Sequence, residues 1–179
     1  MATKTQKPDA IALLKADHRK VEDLFEKFEK AKSDSVKKTL AEQICTELTV
    51  HSTIEEEIFY PACKGAVEED LLDEGYVEHD GAKVLIAEIM AASPGDDFYD
   101  AKVKVLSEEI KHHVKEEEKR SEGMFAQARE AGLDMDALGE QMAARKTQLL
   151  AEFKQNGLPA PKTRSFTGHK LEQSQPVAA

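Results

Sequence analysis

Leu48-Thr49-Val50-His51-Ser52-Thr53-Ile54-Glu55-Glu56-Glu57 decides the fold, because the chain carries this stretch twice. Its echo is Ile110-Lys111-His112-His113-Val114-Lys115-Glu116-Glu117-Glu118. Both hold a His with a Glu four residues on: His51 with Glu55, and His113 with Glu117. An i, i+4 pair falls on one helical face, so each Glu stands one turn from its His. A lone His precedes each copy, His18 and His79. The chain therefore reads as two helical hairpins supplying the same three side chains.

Punctuation and periodicity predict the rest. A first helix from about Asp9 to Lys32 rests on Ile11, Leu14, Val21, Phe25 and Phe28 at 3/4 spacing. Ser33-Asp34-Ser35 offers a turn and an N-cap for a second helix, which Pro61 should end. A third runs roughly from Glu68 to Ala92, before the break Ser93-Pro94-Gly95-Asp96-Asp97. The fourth is predicted from Phe98 to about Glu130. A fifth, shorter helix starts near Asp134 and stops at Asn156-Gly157. Pro159, Pro161 and Pro176 mark the remaining C-terminal stretch as an irregular tail, disordered or laid across the body. The expectation is an all-α protein: an antiparallel up-down-up-down four-helix bundle over 8–130, an extra helix within 131–157, and a tail over 158–179.

Register shows what the repeated side chains are for. His18 sits in the middle of the Ile11–Phe28 stripe, and His51 and Glu55 share one with Ile44, Leu48 and Ile58. His79 follows Leu72 and Tyr76, while His113 and Glu117 continue the Val103–Ile110 series. All six polar groups thus point inward, where unpaired polar groups are costly. Height agrees with facing. His18 and His51 are about equally far from the Ser33–Ser35 turn, as are His79 and His113 from Pro94-Gly95. At about 1.5 Å of axis per residue, an antiparallel arrangement brings all four imidazoles level, with the glutamates one turn away.

Four imidazoles and two carboxylates exceed what one tetrahedral zinc needs. Inward His and carboxylate ligands from four helices suit a two-metal site. Without thiolate, iron or manganese fits better than zinc. His18 with His51 would hold one metal and His79 with His113 the other, with Glu55 and Glu117 bridging.

Composition narrows the function classes. The 179 residues carry 25 Lys+Arg against 35 Asp+Glu, a formal net charge of -10, which argues against nonspecific nucleic-acid or anionic-membrane partners. No apolar run nears the roughly 20 residues of a membrane span, and the start lacks a secretory signal's apolar core. Two cysteines, Cys45 and Cys63, are too few for a disulfide framework and fit the cytoplasm. No Gly-rich phosphate loop or zinc-protease motif is present.

From roughly Asp17 to Phe125 the chain resembles the hemerythrin-like, or HHE cation-binding, family of non-haem di-iron four-helix bundles. The resemblance rests on the doubled ligand pattern and on Asp17-His18, Glu56-Glu57-Ile58-Phe59-Tyr60-Pro61 and Glu78-His79. It implies that His18, His51, Glu55, His79, His113 and Glu117 bind two irons around an oxo or hydroxo bridge. It also implies a role in binding oxygen, sensing oxygen or iron, handling nitric oxide, or acting on peroxide. The oxygen-carrying members place two histidines four apart on the third helix. Here the positions four before and four after His79 hold Gly75 and Lys83. That leaves more metal positions open, which favours chemistry over reversible carriage. Tyr76, one turn from His79, could enter the site.

The remaining candidates read more plainly. His112 lies off the stripe and His169 in the tail. Glu56, Glu57, Glu116 and Glu118 belong to a solvated face or to a layer behind the ligands. Cys45 and Cys63 are packing residues. Three functions stay open: peroxide disproportionation, a non-catalytic sensor or carrier of oxygen, nitric oxide or iron, and a metal-stabilised structural bundle. Leu138, Met142, Leu149 and Phe153 could cap the bundle, cover the metals or mediate self-association.

Overall fold

Three of the helices begin where a capping side chain meets an apolar stripe. In the computed structural model, which describes residues 8–166, α1 (Ala10–Lys30) starts at Asp9, whose carboxylate accepts the Ala12 N–H at 2.7 Å. Ser33 caps α2 (Asp34–Ile54) by accepting from the Val36 N–H. The long helices α4 (Glu69–Met90) and α5 (Tyr99–Glu117) flank the Ser93–Asp97 turn, where Asp96 accepts the Ser93 N–H at 2.7 Å. Asp134 caps α7 (Met135–Asn156), and Gly157, at φ +77°, ends it. The chain is all-helical, with no strand among the described residues. No helix among them is long and apolar enough to cross a membrane.

Two boundaries differ from the sequence expectation. Pro61 does not end the second helix. Glu55–Phe59 wind as a π-helix, and α3 (Tyr60–Cys63) adds another turn with Pro61 in its first positions. The wide turn restarts the hydrogen-bond ladder, and the first turn of a helix is where proline's missing N–H does no harm. The fourth helix stops at Glu117, and a separate α6 (Met124–Glu130) comes after it. The linking loop folds back on the end of α5. A Cβ on Gly123 would lie 2.6 Å from the Glu117 carbonyl oxygen and 2.7 Å from that of Glu116, so only glycine fits. By contrast, α7 has the bounds expected of it, and its 22 residues make it as long as α4.

Helix α1 packs on α2, α4 on α5, and α7 on both α1 and α2. The buried residues form two apolar clusters. One gathers Leu14, Val50, Ile54, Phe59, Met124 and Met142, and the other Val21, Phe25, Leu48, Ile86, Leu106 and Ile110. Along α1 the first cluster ends at Leu14 and the second begins at Val21, with His18 between. Along α2, His51 separates Leu48 from Ile54. The polar residues thus make one layer sandwiched between two dry ones.

The α1–α7 contact depends on a missing side chain. A Cβ on Gly139 would stand 2.7 Å from the Pro8 carbonyl oxygen and 2.8 Å from the Ala10 nitrogen. Backbone cannot give way there as a side-chain tip could. Gly139→Ala is expected to cost about 1–3 kcal/mol, read from urea unfolding, by pushing α7 off the start of α1. Unchanged stability would show that α7 is loosely held.

Candidate metal centre

His18, His51, His79 and His113 are all buried, as are Glu55 and Glu117. The imidazoles meet in pairs, Nε2 to Nε2, at 3.1 Å for His18 with His51 and 3.3 Å for His79 with His113. Glu55 Oε2 lies 3.2 Å from His51 Nε2 and 3.3 Å from His79 Nε2, so one oxygen serves both pairs. Glu117 divides its oxygens: Oε2 is 3.3 Å from His18 Nε2, and Oε1 is 3.5 Å from His113 Nε2. Among these six residues, two groups able to hold an ion result, His18–His51–Glu55–Glu117 and Glu55–His79–His113.

The spacing itself points to cations. Donor atoms about 2.1 Å from one ion stand roughly 3.0–3.4 Å from each other. Hydrogen bonding does not account for the approaches of the glutamate oxygens to the imidazoles. Both Glu55 oxygens and Glu117 Oε2 are buried without a hydrogen-bond partner, although imidazole nitrogens lie nearby, because the directions are wrong. Two facing Nε2 lone pairs repel unless a proton or a metal lies between them.

Tautomers are set by the layer behind. His18 Nδ1 is 2.8 Å from Glu118, His79 Nδ1 3.0 Å from Glu56, and His113 Nδ1 2.7 Å from Glu78. A carboxylate can only accept, so each Nδ1 carries the proton and leaves Nε2 free to bind metal. Asp17 faces His51 Nδ1 at 3.7 Å. Burial pushes the Asp17 carboxyl up, but His51 and Lys146 together outweigh it and hold it below the usual carboxylate range. Lys146 reaches Asp17 from α7. Arg145 grips Glu57 through two nitrogens, at 2.6 and 3.0 Å. The fifth long helix therefore braces both the His51 support and the π turn.

The repeat extends into this outer layer. The acid before each lone His, Asp17 or Glu78, faces the second imidazole of its own hairpin, Glu78 in a hydrogen bond and Asp17 at 3.7 Å without one. The acid after each ligand-spaced Glu, Glu56 or Glu118, supports the lone imidazole of the other hairpin. Glu56 and Glu118 fall within the sequence expectation, whereas the roles of Asp17 and Glu78 do not. Their signal was present as an acid immediately preceding His18 and His79. Glu57 turns away to Arg145, and His112 is exposed, 3.4 Å from Glu78.

The phenol that reaches the layer is Tyr60, not Tyr76. Its hydroxyl donates to Glu117 Oε1 at 3.0 Å and lies 3.4 Å from His79 Nε2, and its ring stacks on His79. Burial, reinforced by Glu117 and Glu55, raises its pKa well above that of a free phenol, so it keeps its proton. Tyr76 sits one ring behind, edge-on to Tyr60 at 5.2 Å between centroids. The π turn is the reason: Tyr60 stands five positions after Glu55, and a turn closed from i to i+5 brings residues at that spacing onto one face, so Tyr60 points inward. Gly75 makes the room, since a Cβ there would lie 2.9 Å from the Tyr60 hydroxyl. Cys45 and Cys63 are free, buried thiols, each pushed up to about 12 chiefly by burial.

A sequence profile of the hemerythrin HHE cation binding domain matches residues 9–128, well over half the chain. The chain belongs to the hemerythrin HHE cation-binding family. The HHE domain thus contains all six inward polar residues, and the matched region leaves α7 outside. The HHE domain-containing protein of Mycobacterium kansasii has a similar fold, at TM-score 0.69 and 23% identity. That match covers 84% of this chain and 95% of the other. A DNA nickase from Nostoc sp. strain PCC 7120 is 30% identical over 106 residues. These are 59% of this HHE-domain chain and only 30% of that relative. Family membership makes this a metal-binding domain, and its His/Glu clusters fit that role.

Proposed function

We propose that this HHE-domain protein holds two iron ions and uses them to bind or transform a small oxygen species: dioxygen, peroxide or nitric oxide. His18 with His51 would hold one iron and His79 with His113 the other, with Glu55 and Glu117 shared between them. In this reading α1, α2, α4 and α5 form the antiparallel four-helix bundle, with α7 laid along the α1–α2 side. Two irons there would supply reversible redox change and positions open to an outside ligand.

The observation that carries the reading is a cavity of about 20 Å³ lined by all four imidazoles. Neither glutamate lines it, so it lies on the opposite side of the imidazole layer, against Val21, Leu48, Ile86 and Ile110. That volume takes about one water-sized molecule, and apolar walls favour a small weakly hydrated ligand. On the glutamate side, Tyr60 keeps a proton and directs it at Glu117. Glu118, Glu56 and Glu78 hold the orientations of His18, His79 and His113 fixed while charge at the centre changes.

Peroxide disproportionation is the enzymatic form of this reading, and reversible binding the sensor form. Iron-loaded protein should contain about two irons per chain and evolve oxygen from added peroxide. Reversible nitric oxide or dioxygen binding without peroxide turnover would favour the sensor. Protein that takes up no iron on reconstitution would sink both.

A further inference from the structure

The cavity among the imidazoles has an outer neighbour. A cleft of about 690 Å³ lies between α2, α4, α7 and residues 158–164. The linings of cavity and cleft share three residues: Ser52, Lys83 and Ile86. Those three side chains form the partition between this cavity and this cleft. Ser52 is small and Ile86 apolar, so Lys83 is the one charged member.

Lys83 is held in place from two sides. Its Nζ lies 2.7 and 3.0 Å from the two Glu56 oxygens and 3.0 Å from Asp80 Oδ1. Glu56 also receives the His79 Nδ1 proton, so the partition and the imidazole layer share a carboxylate. Asp80 is fully buried, and its other oxygen anchors the segment beyond α7. Oδ2 accepts the Arg164 N–H at 2.7 Å, the Ser165 N–H at 2.6 Å and the Ser165 hydroxyl at 2.7 Å. The Arg164 guanidinium then lies over the Tyr76 ring at 4.3 Å. Leu158, Pro159 and Pro161 line the cleft on the way to this anchor. The segment is therefore a strap across the cleft, pinned at a residue that also holds Lys83.

We propose that small ligands reach the centre through this cleft, past Lys83, with the 158–166 strap as its roof. This rests on the small-ligand reading above. Lys83 is the specificity-determining residue of the passage. Its charge and its two ion pairs close the partition until they part, and its cationic head faces the cleft that an incoming anion or diatomic must cross. Asp80 couples roof to partition, because one carboxylate holds Lys83 on Oδ1 and the strap on Oδ2.

Two variants test this away from the imidazoles. Lys83→Met keeps the aliphatic stem and removes both ion pairs. Ser165→Pro removes two of the three strap bonds to Asp80 without altering α4. With nitric oxide as probe and ferrous iron-loaded protein, stopped-flow association should accelerate about tenfold for Lys83→Met and by a smaller factor for Ser165→Pro. Iron content should be unchanged in both. Hydrogen exchange at the Arg164 amide, read in metal-free protein, should quicken in Ser165→Pro. Association rates within about twofold of wild type, together with unchanged exchange, would overturn the passage while leaving the small-ligand reading standing. Iron-loaded wild-type protein that binds no nitric oxide would overturn that reading and the passage with it.

Discussion

Replacing Glu55 with Gln is expected to lower bound iron from about two ions per chain to fewer than one after desalting. Glu55 is the single residue common to both ligand groups, and one of its oxygens stands within 3.3 Å of an imidazole nitrogen from each pair. Gln keeps the shape but loses the negative charge that two cations would share. The change removes little packing, because the side chain stays the same size in a fully buried position. Circular dichroism should therefore show the helices intact while metal analysis shows the loss. Glu57→Gln is the matched control, since Glu57 points at Arg145 on the outside and should keep both irons. Full iron content in Glu55→Gln would remove Glu55 from the ligand set. Normal iron content in His112→Ala is expected for the same reason as the control: its ring is exposed.

How much of this was legible in the sequence depends on which features are periodic. His18, His51, Glu55, His79, His113 and Glu117 stand at 3/4 spacing within apolar stripes, so their meeting in one layer could be anticipated from facing and turn distance alone. Family membership, which the sequence resemblance implied, is shown by the match over residues 9–128. The features that could not be anticipated lie where the helix departs from 3.6 residues per turn. The π turn at Glu55–Phe59 inserts one residue, its own sequence has no marker, and the Pro61 just beyond it reads as a stop. Tyr60 consequently replaces Tyr76 as the phenol beside His79. The loop at Gly123 was hidden for a similar reason. Met124 and Phe125 continue an apolar pattern, although the backbone between them and Glu117 has turned back on itself. The strap was invisible because its hold is made by backbone N–H groups on Asp80, and backbone donors leave no trace in side-chain pattern.

Stripping the metal is expected to invert the protein's response to alkaline pH. Without metal, the buried layer must be satisfied by protons. Burial pulls the His51 pKa down, but Glu55 and Asp17 more than offset it and leave it at about 10. For His79 burial is likewise outweighed, by Glu55 and Glu56, leaving about 9. Burial pushes the Glu55 carboxyl up, yet His51 and His79 hold it well below its ordinary value. In the unfolded chain a histidine titrates near about 6.5, so both raised values stabilise the fold fully below that pH. The contribution is lost as pH climbs through the folded values. Metal-free protein should therefore weaken between about pH 6.5 and 10, by an amount on the order of a few kcal/mol. With metal bound the sign reverses, because the imidazoles must be proton-free to ligate and rising pH removes their competitor. The stability difference between iron-loaded and chelator-treated protein should widen from about pH 6 to about pH 9, in urea unfolding followed by circular dichroism. A stripped protein whose stability is flat across that range would mean that the imidazoles do not take up the protons, and that Glu55 is neutralised in some other way. The arrangement would then owe its fixed shape to the two apolar layers on either side. If the expected loss occurs, the fold without metal is an ion-paired stand-in for the fold with it, since the same carboxylates that bind protonated imidazoles in one state would bridge metals in the other.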